Sequence, residues 1–210
     1  MSSGAGGGAV THPHHLTLAD IADLRAYERE REAFRAEVIE LKKRRRVHVG
    51  TILTLVFENR ATVRFQIQEM ARVEKLITDE AIQGELDTYN ALIPAAGQLS
   101  ATVFLELTSD EQLREWLPKL VGIERSLVLR AGAGDAAVEV RAITEEAHAA
   151  QLTREETTAS VHYVRWELTP EEVAAVEAGP VTLVVDHPAY RDDTVLRPVT
   201  VAELLDDLHG

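Results

Sequence analysis

The stretch from Phe57 to Glu74, FENRATVRFQIQEMARVE, sets an apolar stripe beside an unusual polar surface. Its apolar residues recur three or four positions apart, at Val63, Ile67, Met70, Val73 and, just beyond it, Ile77. This spacing predicts one amphipathic helix with Asn59 as its N-cap. The other side of the helix carries Arg and Gln where a solvated face usually carries Lys and Glu. Those polar residues are Arg60, Arg64, Gln66, Gln68, Glu69, Arg72 and Glu74.

Two interpretations fit this polar surface, and both centre on the row Arg64, Gln68 and Arg72, spaced four residues apart. The guanidinium groups can pair with carboxylates of the same protein, and exposed pairs of that kind stabilise by only about 0.2–1 kcal/mol each. The same fork-shaped groups can instead grip a carboxylate, a phosphate or an acidic partner surface.

Apolar, β-branched segments alternate irregularly with helical segments along the rest of the chain. Strands are predicted at residues 51–57, 100–108, 126–131, 136–142, 160–168 and 181–186, with a hairpin turn at Gly132–Asp135. Helices are predicted at residues 18–45 (one helix or two consecutive ones), 79–90, 110–120, 170–178 and 199–208. Thr169 is predicted to cap the helix at 170–178, and the acidic stretch 144–157 is helix or loop. The pattern predicts an α+β fold on a mostly antiparallel sheet of five to six strands, with packed helices and a helical N-terminal arm.

The domain organisation follows from the same pattern. A Gly-rich tail at residues 1–15 is predicted to be disordered, and residues 16–208 are predicted to form a single α+β domain, with the helical arm at 16–46 and the core at 47–208. The start of the chain lacks the features of a secretory signal, and no apolar run approaches the length of a membrane span. A cytoplasmic location without membrane contact is therefore expected.

Composition narrows the chemistry that the chain can perform. There is no cysteine, which excludes disulfides, thiolate catalysis and any cluster held by cysteines of this chain. The net charge of −13 disfavours nucleic acid as a partner. The exception is the run Lys42–Arg46, which is either the cationic end of a helix or an anion- or partner-docking patch.

Two histidines lie on predicted strands with their side chains on the more apolar face. His162 shares its face with Val164 and Trp166. His187 directly follows the strand predicted at 181–186, and continued alternation places it on the face of Leu183 and Val185. They are either buried and hydrogen-bonded separately, or they join Asp186 or Glu69 in a zinc, iron or manganese site, or one of them acts as an acid–base catalyst. The metal hypothesis requires the two strands to be neighbours.

Several segments together carry a family resemblance. They are Gln66–Met70 (QIQEM), Glu85–Pro94 (ELDTYNALIP), Ser160–His162 (SVH) and Asp186–Tyr190 (DHPAY). With them the chain resembles, from about Leu16 to Leu208, an uncharacterised bacterial family, domain-of-unknown-function family three-five-zero-one. Members are often encoded beside a rubrerythrin-like di-iron protein and an iron–sulfur subunit of the heterodisulfide-reductase type. The resemblance implies a role in peroxide or thiol redox metabolism and supplies no catalytic residue.

The function expected from these observations is that of an accessory, adaptor or regulatory protein of an iron-dependent redox system, acting by protein or small-anion binding. The expected binding residues are Arg60, Arg64, Gln68, Glu69, Arg72, Tyr89 and Tyr190. The alternative is a metal-dependent enzyme built on His162, His187, Asp186 and Glu69, and a third interpretation is an anion or cofactor sensor without turnover. The expected partners are the di-iron and iron–sulfur proteins named above, and the sequence is also compatible with a homo-oligomer.

Overall fold

The computed structural model describes residues 14–134, 137–144 and 157–210. The predicted disordered tail, apart from its last two residues, lies outside these residues, as does most of the acidic stretch 144–157. Within the described part of the chain, no helix is long and apolar enough to cross a membrane.

Six α-helices are present among the described residues. They are α1 (Leu24–Arg45), α2 (Arg60–Glu74), α3 (Asp79–Tyr89), α4 (Asp110–Lys119), α5 (Pro170–Ala178) and α6 (Pro198–His209). Short 3₁₀ turns lie at Leu18–Asp20, Asn90–Leu92 and Ile123–Arg125. Side-chain caps start several helices as the sequence predicts: Asn59 accepts from Thr62 at α2, and Thr169 accepts from Glu172 at α5.

The described strands form two antiparallel sheets. They are β1 (Arg46–Val49), β2 (Leu53–Glu58), β3 (Gln98–Leu105), β4 (Leu127–Ala131), β5 (Val138–Arg141), β6 (Ile143–Thr144), β7 (Val161–Glu167), β8 (Val181–His187) and β9 (Tyr190–Val195). The first sheet has the order β1-β2-β3-β7-β6, and the second has the order β5-β4-β8-β9. In the first sheet β2 pairs with β3 so that Glu58 faces Ser100 and Val56 faces Thr102.

One hydrophobic core lies between the two sheets. Leu55 and Phe57, which are alternate residues of β2, belong to the same core as Leu129 of β4 and Leu183 of β8, and all four are almost completely buried. The other face of β2 lies under α1 and α2, so every residue of this strand is buried. A smaller core of Leu16, Val63, Ile67, Leu86, Leu92 and Ile93 joins α2, α3 and the N-terminal segment. The chain therefore stacks a helical layer, the first sheet and the second sheet.

The predicted α+β class and the antiparallel pairing are confirmed, including the hairpin of β4 and β5. The structure adds that the strands divide between two sheets, and that β1, β6 and β9 join those predicted. β9 reads YRDDTV and is mostly exposed. An exposed edge strand needs no apolar face, so the sequence carries little signal for it.

Helix α2 is turned differently from the predicted amphipathic face. Val63 and Ile67 are fully buried, but Val73 is 65% exposed and Ile77, beyond the helix end, is 82% exposed. The buried side of α2 instead includes Gln68, which is fully buried. A buried amide must find hydrogen-bond partners, and these partners lie in the N-terminal segment.

Candidate functional site

The polar side of α2 is bound to residues 20–31 of the same chain. The Gln68 side chain accepts a hydrogen bond from the Ala22 amide at 2.7 Å and donates one to the Ala22 carbonyl at 3.1 Å. This two-way contact satisfies a buried amide in the same way as a pair of strand hydrogen bonds. Gln68 is therefore unavailable to an external ligand in this conformation.

Two arginines of α2 hold the turn that precedes α1. Arg60 pairs with the Asp20 carboxylate, and Arg64 donates to the Asp20 carbonyl at 2.8 Å. The Arg64 guanidinium also lies 4.9 Å from the centre of the Phe34 ring, which is the arrangement of a cation–π contact.

Glu69 is the most highly connected carboxylate on this face. It accepts from the Tyr27 hydroxyl at 2.7 Å and from Arg31 at 2.7 and 2.9 Å, and Arg72 lies 3.5 Å away. The Arg31 hydrogen bonds, reinforced by those of Tyr27, hold the pKa of Glu69 at about 2. Because Tyr27 is fully buried, its hydroxyl depends on this acceptor.

The predicted binding row thus forms an internal clasp, which we define as Arg60, Arg64, Gln68, Glu69 and Arg72 with their partners in residues 20–31. Tyr89, also predicted to bind, is the last residue of α3 and packs half-buried against the small core. The contacts of the clasp correspond to the first interpretation of the polar surface, in which the cations pair inside the protein.

The two histidines of the metal hypothesis lie in different sheets. His162 of β7 is buried, and its Nε2 is 2.8 Å from the Ala159 carbonyl and 3.0 Å from the Thr158 hydroxyl. Burial lowers the pKa of His162, and the neighbouring Glu124 carboxylate opposes that shift. His162 is consequently a neutral donor near neutral pH.

His187, at the end of β8, is also satisfied locally. Its Nε2 contacts the Val121 carbonyl at 3.1 Å, and its Nδ1 accepts from the Ala189 amide at 3.2 Å, so both ring nitrogens are engaged. Asp186 points to the opposite, exposed side of β8 and pairs with Arg191 at 3.2 Å. The condition that β7 and β8 be neighbours is not met. Among residues 14–134, 137–144 and 157–210, no group of three or more His, Asp or Glu could hold a metal ion.

The basic run Lys42–Arg46 divides between two roles. Arg45 is 1% exposed and binds Asp207 of α6 through Nη1 and Nη2 at 2.6 and 2.8 Å, while Arg44 pairs with Glu203 at 2.6 Å. These two arginines join α1 to α6. Lys43 and Arg46, on the other hand, line a groove beside β9.

A groove of about 560 Å³ lies between β1 and β9, which are the edge strands of the two sheets. Its cationic side chains are Lys43, Arg46 and Arg197, and its apolar surface is formed by Val47, Val195 and Leu196. We call these six residues the cationic groove. Of the residues that the structure describes, no carboxylate lines it. Val195 is 60% exposed, so its side chain is available to a partner.

Side chains rather than backbone pairing fix the two edges beside each other. The Tyr190 hydroxyl donates to the Val49 carbonyl at 2.8 Å and accepts from the Thr51 amide at 2.9 Å, and Thr194 donates to the His48 carbonyl at 2.8 Å. Gly50 has a φ of +62°, and a side chain there would collide with Tyr190. Tyr190 was predicted to bind a ligand; in the structure it joins the sheets.

The carboxyl-terminal half of the groove was not predicted. Thr194, Val195 and Arg197 lie in a polar stretch without strand periodicity, so only Pro198, at the first position of α6, marks a boundary there.

Comparisons with known proteins agree with this fold. A family model described as "Protein of unknown function (DUF3501)" matches residues 15–208. The chain is also similar to the crystal structure of a novel protein of unknown function from Burkholderia pseudomallei. That similarity has a TM-score of 0.83 and 38% sequence identity, and it covers 92% of this chain and 98% of that one. No curated protein matches the chain. The chain therefore belongs to the DUF3501 family of proteins of unknown function.

Proposed function

We propose that the protein is an accessory or adaptor protein of an iron-dependent peroxide or thiol redox system in the cytoplasm. It acts by docking an acidic, extended segment of a partner protein in the cationic groove. The family resemblance supports the redox setting, in which the partner is a rubrerythrin-like di-iron protein or an iron–sulfur oxidoreductase.

The observation that carries the docking proposal is the charge of the groove. The whole chain has a net charge of −13, yet Lys43, Arg46 and Arg197 converge on one cavity without an acidic lining residue. Arg197 donates a hydrogen bond to the Lys43 carbonyl at 2.6 Å, and the other two cations have weak charge partners. Arg46 is 3.9 Å from Glu106, and the pair of Lys43 with Glu40 is largely exposed. Exposed ion pairs of this kind contribute little to stability, so carboxylates of an acidic partner can replace Glu40 and Glu106 with little loss of free energy.

The shape of the groove favours an extended segment. β9 ends its sheet, and an edge strand presents backbone groups that can pair with an added strand. On β1, the His48 and Val49 carbonyls are already bound by Thr194 and Tyr190. Val195 is exposed and gives an apolar side chain of such a segment a surface to cover, while Val47 and Leu196 line the groove but are themselves almost completely buried. The segment expected is therefore one that alternates acidic and apolar residues.

The test is fluorescence anisotropy with a short labelled peptide that alternates glutamate and valine, compared with a peptide in which lysine replaces glutamate. The acidic peptide is expected to bind, and its affinity is expected to fall as the salt concentration is raised. Salt screens the exposed charges of the groove, with a Debye length of about 8–10 Å. The double variant Arg46→Glu, Arg197→Glu is expected to lower affinity at least about tenfold.

The matched control is Arg29→Glu, Arg35→Glu. These arginines lie exposed on α1, away from the groove, and their replacement changes the net charge by the same amount. If both double variants lose the same amount of affinity, the loss is caused by the net charge of the protein and not by the groove, and the proposal is contradicted. Near-stoichiometric iron, zinc or manganese that disappears in a His162→Ala, His187→Ala variant would favour the metalloenzyme instead.

After the peptide experiment, the same variants are tested for binding to a purified rubrerythrin-like di-iron protein and to a purified iron–sulfur subunit of the heterodisulfide-reductase type. Loss of complex formation in the groove variant alone supports the redox role. Binding of neither protein, while the acidic peptide still binds, refutes the redox setting and leaves the docking surface.

A further inference from the structure

A second cavity lies on the opposite side of the first sheet, under α2. Its volume is about 410 Å³, which falls within the range of small-molecule sites. The outer face of the sheet forms its floor and α2 forms its wall, and Lys42 of α1 also lines it. We call it the α2 cavity. It shares none of its lining residues with the cationic groove.

The walls of the α2 cavity are mainly apolar. Phe65, Met70 and Val73 come from the helix, and Phe104 and Val161 come from adjacent positions of β3 and β7. Val73 is 65% exposed, which leaves an apolar side chain at the mouth of the cavity. Such walls suit the aromatic or branched aliphatic body of a small molecule.

The floor contains an acidic group without a charged partner. Glu58 is 2% exposed, and none of the ion pairs among the described residues involves it. Its two carboxylate oxygens face the hydroxyls of Thr62 at 2.5 Å and Thr102 at 2.6 Å. A carboxylate has about four acceptor positions, so two such donors leave capacity for a ligand. A buried carboxylate gains most from a partner that is cationic and donates hydrogen bonds.

Tyr163 and Gln66 complete the polar end of the cavity. Tyr163 lies opposite Thr102 in the pairing of β3 with β7, and its side chain is hydrogen-bonded by Gln66. Burial raises the pKa of Tyr163, so its hydroxyl stays neutral and can serve as donor or acceptor. Polar groups from the sheet and from the helix thus converge at one end of an apolar cavity.

The geometry points to a small-molecule site in the α2 cavity for an apolar ligand that bears a cationic nitrogen, such as a primary amine or an amidine. The nitrogen binds at Glu58 with Tyr163 beside it, and the apolar body lies between the phenyl rings of Phe65 and Phe104. The Lys42 ammonium lies 5.9 Å from the centre of the Phe65 ring. It therefore disfavours a second positive charge in the ligand.

Three probes of nearly equal shape and different charge test this site: phenethylamine, neutral 2-phenylethanol and anionic 3-phenylpropionate. Binding is followed by amide chemical shifts in the full chain. Phenethylamine is expected to shift saturably the resonances of residues around Glu58 and Tyr163. Its affinity is expected to exceed that of 2-phenylethanol by at least about tenfold, with 3-phenylpropionate weakest.

Two variants that remove charges of opposite sign from the cavity test the same site. Glu58→Gln keeps the shape but replaces one accepting oxygen by an NH2 donor, so the threonine hydroxyl that faces this NH2 must accept instead of donate. It is expected to reduce phenethylamine affinity at least about tenfold while leaving 2-phenylethanol unchanged. Lys42→Met removes a repulsive charge, so it is expected to leave phenethylamine binding equal or tighter. Glu74→Gln is the control, because it neutralises an exposed carboxylate at the end of the same helix.

The proposal is overturned if phenethylamine and 2-phenylethanol bind equally, if neither binds, or if the shifts lie away from α2 and the first sheet. Preferential binding of 3-phenylpropionate that is lost in Lys42→Met would instead identify an anion site. If Glu58→Gln fails to fold, Val161→Phe and the three probes decide the matter. Val161→Phe fills part of the cavity and is expected to weaken the probe that binds; unchanged affinity would refute the location.

Discussion

Replacing Glu69 by glutamine measures how firmly the clasp holds the N-terminal part of the chain. The arginine and tyrosine hydrogen bonds lower the pKa of Glu69 from its ordinary 4.5 to about 2. One unit of pKa difference corresponds to 1.36 kcal/mol, so these contacts of ionised Glu69 stabilise the folded state by at most about 3.4 kcal/mol. The side chains of Arg31 and Glu69 are 29% and 23% exposed, so solvent screening lowers the expected loss to about 1.5–2 kcal/mol.

Urea unfolding at neutral pH gives the free energy of unfolding directly, and a thermal melt should fall by about 3–8 °C for a chain of this size. The control is Glu28→Gln. Glu28 is 55% exposed and lies 3.8 Å from Arg72, so its loss should change stability by less than about 0.5 kcal/mol.

The effect of pH supplies a second check on the same variant. The folded-state pKa of Glu69 lies below the unfolded one, so its stabilisation is fully present above about pH 4.5 and is lost as the pH falls toward 2. The gap between the wild type and Glu69→Gln should therefore narrow below about pH 4.5. A gap that equals the Glu28→Gln effect, or that stays constant from pH 7 to pH 3, would refute the role of this carboxylate.

Two further substitutions test other buried polar contacts. Arg45→Met leaves Asp207 buried without its partner and should cost about 3–5 kcal/mol in urea unfolding at pH 7. Because burial already raises the pKa of Asp207, the deficit should shrink as the pH is lowered and that carboxyl is protonated, and a larger deficit in acid would contradict this account. Gln68→Leu leaves both backbone groups of Ala22 unpaired and should lower the free energy of unfolding by about 2 kcal/mol. Hydrogen exchange at the Ala22 amide should become faster, and an unchanged exchange rate would show that Gln68 does not hold this segment.

The sequence predicted well those elements whose packing agrees with their local pattern. The strand at residues 181–186 corresponds to β8, and Thr169 begins α5 where the capping pattern placed a helix start. Both are determined by neighbouring residues: one by alternation across a buried sheet, the other by a hydroxyl that satisfies a free amide.

The elements that were not predicted depend on contacts distant in sequence. β9 is polar because it is an edge, and it is held in place by Tyr190 and Thr194, which contact β1 about 140 positions earlier. The internal role of Gln68 has the same origin, since its partner Ala22 lies 46 positions away. An amphipathic pattern identifies α2 as a helix, but it does not reveal which polar residues another segment covers.

The candidate sites were less predictable than the fold for the same reason. Glu58 lies in the stretch Phe57–Glu74, but no site was predicted to include it, and nothing local indicated that its strand would be covered on both faces. The pairing of His162 with His187 failed because the two strands that carry them entered different sheets. Sheet assignment is a property of the whole chain, and residue spacing does not encode it.

Glu69 belongs to two structures at once, because it anchors the clasp and also lines the α2 cavity. By thermodynamic linkage, a molecule that occupies the cavity only while α2 is clasped must also make release of residues 20–31 less favourable, and by the same free energy. Exchange protection at the Ala22 amide would then report cavity occupancy. Conversely, a partner protein that pulled residues 20–31 away from α2 would lower the affinity of the cavity for its ligand. An adaptor could in this way couple binding of a partner protein to release of the ligand.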